Sequence, residues 1–80
     1  MKLTILAFGF AAETIGQRKF ELEFPENFTS DDLRVFLEKK YTGLHAIGSY
    51  ALAVNQRYIT EKTNLINLDE VAIIPPVSGG

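Results

Sequence analysis

The sequence predicts an α+β domain, a mixed sheet of about five strands wrapped on one main helix. Three observations carry that prediction. Period-2 apolar alternation runs through the start of the chain and again through residues 19–24; helical periodicity appears once, from Thr29 to Tyr41; and β-branched runs return after it. With 80 residues, 46% of them apolar and 22% charged, the chain has material for one small soluble domain.

The first segment, Lys2–Phe8, sets Leu3, Ile5 and Ala7 against Thr4, Leu6 and Phe8. Both sets are largely apolar, which suits a central strand covered on one face and partly open on the other. Gly9 breaks the strand, and Phe10–Gly16 leaves room for at most two helical turns. Gln17, Arg18 and Lys19 are polar enough for a turn. Phe20, Leu22 and Phe24 then alternate with Lys19, Glu21 and Glu23, so Lys19–Phe24 reads as a half-buried strand returning as a hairpin, and Pro25 closes it.

The main helix follows. Thr29 caps it with Asp32 at the third helical position, and Phe28 is placed to staple onto Leu33. Asp31 and Asp32 near its start and Lys39 and Lys40 near its end complement the helix dipole. Leu33, Phe36, Leu37 and Tyr41 share one face and form the core stripe, while Gly43 is placed for a stop.

Gly43–Ser49 reads as a loose connection. Tyr50, Leu52 and Val54 alternate with Ala51 and Ala53 in a third strand ending at Asn55-Gln56, and Arg57-Tyr58-Ile59 turns back on it. Thr60–Asn64 is a loop and Leu65–Leu68 a turn carrying an apolar plug. Glu70–Ile74 is a last, β-branched strand, ended by Pro75-Pro76, which have no N–H to donate. The two most apolar strands, first and last, are expected as parallel central neighbours. That order is of β-grasp type: residues 1–74 form the domain and 75–80 an extended tail.

Composition excludes much chemistry. There are no cysteines, which removes disulfides, thiolate metal sites and thiol nucleophiles, and His45 is the only histidine. The net charge of −2 gives no footprint for nucleic acid. No apolar run approaches the ~20 residues that span a bilayer, and the start lacks signal-peptide features, so a cytoplasmic protein with no membrane contact is expected. Ser49, His45 and Asp69 supply the residue types of a hydrolytic triad without a nucleophile turn. Gly9-Phe10 and Gly16 do not match a phosphate-binding loop. Asp31-Asp32 and Asp69-Glu70 read as helix-start and turn carboxylates, so no metal site and no bound cofactor are expected.

The end of the chain is different. Pro75-Pro76 presets an extended direction, and the six residues Pro75 to Gly80, at about 3 Å each, reach roughly 15–20 Å beyond the sheet. Val77 and Ser78 keep the tail slender. Gly79 and Gly80 remove every Cβ from its tip, so it can thread a narrow channel and present the Gly80 carboxylate as a reactant in another protein's active site. Activating that carboxylate calls for ATP and Mg²⁺, and nothing in the chain is suited to bind them.

The stretch Asp69-Glu70-Val71-Ala72-Ile73-Ile74-Pro75-Pro76-Val77-Ser78-Gly79-Gly80 resembles the ending of the MoaD family, the small sulfur-carrier subunits of molybdopterin synthase among the ubiquitin-like sulfur carriers. Phe8 with Glu13-Thr14-Ile15-Gly16, and Ala53-Val54-Asn55-Gln56, are similar to the family's first strand and short helix and to its "AVN" turn. Asn67-Leu68 departs from the Asp-Gly turn common in the family.

The resemblance implies a non-enzymatic carrier whose Gly80 is adenylated by an E1-like adenylyltransferase using ATP and Mg²⁺. A sulfurtransferase-derived persulfide then converts it to a thiocarboxylate, which gives sulfur to cyclic pyranopterin monophosphate inside the large synthase subunit, in molybdenum cofactor biosynthesis. It also implies a partner-binding apolar patch of Phe8, Tyr58 and Ile74, with Arg57 on its rim and Pro75, Pro76, Val77 and Ser78 along the tail. Carriers for thiamin or cysteine synthesis, a protein modifier joined through Gly80, and a plain interaction module are the alternatives.

Overall fold

In the computed structural model, which describes residues 1–47 and 49–76, strand β1 (Lys2–Ala7) lies next to the centre of the sheet and runs antiparallel to β2 (Lys19–Glu23), with Leu3 opposite Leu22 and Ile5 opposite Phe20. Its other neighbour is the last strand, β5 (Glu70–Ile74), which runs parallel to it with Ile5 opposite Val71 and Ala7 opposite Ile73. On the far side β5 pairs antiparallel with β3 (Ala51–Val54), which in turn pairs with β4 (Arg57–Tyr58). The order β2-β1-β5-β3-β4 puts the two most apolar strands side by side as their composition predicts, and the sheet is of β-grasp type.

One face of the sheet is closed by helix α2 (Ser30–Lys40). Leu3, Ile5, Leu52, Val71 and Ile73 from the strands, and Leu33 and Leu37 from α2, are fully buried together, each worth about 1.5–3 kcal/mol relative to exposure. The cap forms as its sequence predicts. Thr29 Oγ1 accepts from the Asp32 backbone N–H at 3.2 Å, and the Asp32 carboxylate accepts from the Thr29 N–H at 3.0 Å. That backbone N–H, with the Thr29 hydroxyl, holds the Asp32 carboxyl below its usual range. The staple residue Phe28 stacks on Phe24, with ring centroids 4.7 Å apart.

Three local readings change. Strand β1 stops at Ala7, because Phe8 becomes the N-cap of α1 (Gly9–Ile15); Gly9, at φ 53°, opens that helix instead of merely breaking the strand. The Gly43–Ser49 connection contains a turn of helix, α3 (Leu44–Ile47), anchored by the fully buried Leu44. Four residues are too few to show periodicity, so only the tertiary contact reveals it. In the Leu65–Leu68 turn only Leu65 plugs the core; Ile66 and Leu68 stand in solvent.

The second half of the sheet is tied to α2 by polar contacts. Tyr50 OH donates to Glu38 Oε2 at 2.6 Å, Arg34 lies over the Tyr50 ring, and His45 Nδ1 sits 3.2 Å from Glu38 Oε1. Burial, then the hydrogen bond to Glu38, pushes the Tyr50 phenol up to about 12. Asn55 and Asp69 tie the β3–β4 turn to the start of β5: Asn55 Nδ2 donates to Asp69 Oδ1 at 2.8 Å, and the Glu70 N–H donates to Asn55 Oδ1 at 3.0 Å.

Candidate functional site: the open sheet face and the root of the tail

Strand parity decides which side chains face away from α2. Leu3, Ile5 and Ala7, Val71 and Ile73, and Leu52 point inward, so Leu6, Ala72, Ile74, Ala51, Ala53 and Tyr58 lie on the other face. The register sets Leu6 beside Ala72, Ala72 beside Ala53, and Ala53 beside Tyr58, with Ile74 beside Ala51. Phe8 continues β1 next to Ile74, its N–H donating to the Ile73 carbonyl at 3.2 Å.

The open face is therefore a shallow floor of alanines across β5 and β3, with larger apolar groups around it. Phe8 is 49% exposed and Tyr58 66%, while Ile74 is half-buried between them. Three strand spacings separate β1 from β4, which puts Phe8 and Tyr58 roughly 15 Å apart. The three expected patch residues thus share one face, and Arg57, exposed, adjoins Tyr58 at the end of β4.

The tail begins at the centre of this face. Strand β5 ends at Ile74; Pro75 is half-buried and Pro76 exposed. A Cβ built on Gly9 would lie 3.3 Å from Pro75 Cγ, so the β1–α1 corner backs the first residue of the tail. Val77, Ser78, Gly79 and Gly80, expected as the working end, lie outside the described residues.

The catalytic constellation that residue types alone allow does not form. Asp69 is buried and occupied by Asn55 and by the Ile66 N–H, whereas His45 faces Glu38. Among the described residues no group of three or more His, Asp and Glu is placed to hold a metal ion, and no helix is long and apolar enough to cross a membrane. What this face offers chemically is apolar area for another protein beside the point where the chain leaves the sheet at Pro75.

Two features escaped the sequence reading. The Asn55–Asp69 link is one, though the polar pair at two turn positions signals it. The other is a groove at the β1–α1–β2 corner, where Phe10 is 68% exposed; an aromatic side chain in a short helix otherwise reads as core.

The sequence model of the ThiS family matches residues 5–80. A Caenorhabditis elegans protein called a molybdopterin synthase sulfur carrier subunit is 32% identical, over 100% of this chain and 99% of that one. Its Caenorhabditis briggsae namesake is 35% identical over the same shares. Among solved structures, SAMP1 from Haloferax volcanii superposes with a TM-score of 0.85 at 21% identity, covering 100% of both chains, a likeness of fold. In a complex of subunits 1 and 2 of the molybdopterin-converting factor from Helicobacter pylori, one chain superposes with a TM-score of 0.71 at 27% identity, covering 100% of both. The family match runs from within β1 through the Gly-Gly ending, and the chain belongs to the ThiS family.

Proposed function

We propose that this chain is the sulfur-carrier subunit of a molybdopterin synthase, with sulfur carried at the carboxyl carbon of Gly80. The observation that carries this reading is the likeness, over the full length of the chain, to relatives bearing that name. The geometry supports it: the tail leaves the middle of the sheet beside an exposed apolar face, so one partner can cover the face and take in the tail together.

In this reading the chain is not itself an enzyme. An E1-like adenylyltransferase supplies ATP and Mg²⁺; a Gly80 carboxylate oxygen attacks the α-phosphate, releasing pyrophosphate and leaving an acyl-adenylate. The terminal sulfur of a sulfurtransferase-derived persulfide displaces AMP, and a thiol reduces the resulting S–S bond to free the thiocarboxylate. Sulfur is a better nucleophile than the oxygen it replaces. The large subunit then receives the tail, and the thiocarboxylate sulfur passes to cyclic pyranopterin monophosphate. Phe8, Tyr58 and Ile74 dock the partner, Pro75 and Pro76 aim the tail, Val77 and Ser78 keep it slender, and Gly79 lets it thread. A chain without cysteine suits this, because no side-chain thiol competes for the sulfur.

Intact mass spectrometry after incubation with ATP, the adenylyltransferase and a persulfide source tests the first half. One oxygen-for-sulfur exchange confined to the C-terminal peptide is expected, and its absence overturns the reading. Adding the large subunit and pterin precursor tests the second half, with the thiocarboxylate consumed as molybdopterin forms. Consumption only with thiamin or cysteine precursors, or Gly80 joined to lysines, would assign the chain to another branch. Removing Gly80 is expected to abolish transfer and leave the fold intact.

A further inference from the structure

The β1–α1–β2 corner holds a groove of about 880 Å³, lined among others by Leu6, Phe8, Phe10, Ala12, Arg18 and Lys19. Helix α1 is fastened to the core by Ala11 and Ile15, and Phe10 stands off that stripe, so the fold makes little use of its ring. An exposed aromatic beside a second half-exposed one is unfavourable on a free monomer and marks a surface that another chain covers. The groove's charged lining is two cations, Arg18 and Lys19, against one carboxylate, Glu13. All three are exposed and in no ion pair among the described residues.

The groove also adjoins the open face and the root of the tail. Phe8 belongs both to it and to the open face, and Gly9, between Phe8 and Phe10, is the residue against Pro75. A protein that covers the open face around Phe8 and Pro75 therefore borders this corner as well. The solved complex from Helicobacter pylori holds a chain of this fold against the other subunit of the molybdopterin-converting factor, which makes that subunit the occupant to consider.

We infer that this groove docks a segment of the large synthase subunit that carries an aromatic or branched apolar side chain next to a carboxylate; this rests on the function proposed above and names a second contact in the same assembly. The apolar side chain enters between Phe8 and Phe10, and the carboxylate meets Arg18 and Lys19. Phe10 and Arg18 then act in partner choice and not in sulfur chemistry.

The affinity of purified large subunit for the full chain, measured by titration calorimetry at low and high salt, tests this. Phe10→Ala is expected to weaken binding roughly tenfold at either salt, with Phe10→Leu recovering most of it. Arg18→Glu is expected to weaken it by about as much at low salt and to flatten the salt dependence. Val35→Ala, at an exposed position on α2, serves as the control and leaves binding unchanged. Thermal melts verify that the Phe10 and Arg18 variants, changed at exposed positions, stay folded. A photo-crosslinking phenylalanine analogue at position 10 is expected to label an apolar-acidic segment of the large subunit.

Wild-type affinity in both variants, labelling of a basic segment, or weakened binding to the activating enzyme alone each overturns the inference and leaves the proposed function standing. Failure of the unaltered chain to bind the large subunit removes the proposed function itself.

Discussion

Gly9 and Pro75 meet where the tail leaves the sheet: a Cβ on Gly9 would stand 3.3 Å from Pro75 Cγ, and Gly9 holds a φ of 53°. A β-branched residue is strained there and crowds the proline at once. Gly9→Val is expected to lower unfolding stability by about 1–3 kcal/mol in urea titrations. Sulfur transfer, assayed where the variant is still folded, falls further because Pro75 no longer leaves at the same angle; full activity would separate the corner from the tail's aim.

On the open face Tyr58 gives little to the fold, being 66% exposed. Tyr58→Ala is expected to change stability by less than about 0.5 kcal/mol, as surface substitutions do. The same change, or Ile74→Asp, is expected to weaken large-subunit binding tenfold or more, since the first removes apolar area at the β4 side of the patch and the second puts a charge between Phe8 and Tyr58. Calorimetric affinities check it.

Leu68 adopts a φ of 74° with its side chain 71% exposed, so it is in left-handed backbone without a packing return. Leu68→Gly is expected to raise stability by about 1 kcal/mol. Leu68→Ala keeps the strain and gives no gain. Denaturant midpoints of the three chains distinguish backbone strain from side-chain exposure.

Asn55 joins two turns, donating to the buried Asp69 carboxylate at 2.8 Å and accepting from the Glu70 N–H at 3.0 Å. Asn55→Ala strands one bond to a charged acceptor and places alanine at a φ of 51°. A loss of about 2–3 kcal/mol is expected. Amide exchange at Glu70 should rise in step.

The Tyr50 phenol is pushed up to about 12 from an ordinary 10.0. A group whose pKa is raised on folding holds its proton better in the native state, so its contribution to stability is complete below pH 10 and is lost as pH rises toward 12. Chemical unfolding between those limits should show stability falling, and Tyr50→Phe should lessen the slope. The phenolate absorbance of the folded chain should report a late-titrating tyrosine.

Much of this architecture is local in origin. The Thr29–Asp32 capping box, the Leu33–Leu37 core stripe, the alternation in β1 and β2 and the proline stop after Ile74 follow from propensity, period and missing donors, each readable within a few residues. The patch of Phe8, Tyr58 and Ile74 came from the family resemblance, and strand parity agrees with it for two of the three, since Phe8 is out of step with buried Ile5 and Ile74 with buried Ile73.

Long-range packing decided the rest. Only the parallel register of β1 and β5 brings Phe8 beside Ile74, and only the β3–β4 pairing carries Tyr58 onto the same face. Leu44 in the short α3 is buried by long-range packing, and although Asn55 and Asp69 are polar residues at turn positions, only the β3–β5 pairing brings them within hydrogen-bond reach. Phe10 shows the limit most plainly. An aromatic in an apolar segment reads as core from its neighbours, and its place in the groove beside the tail is set by which face of α1 the sheet has already claimed.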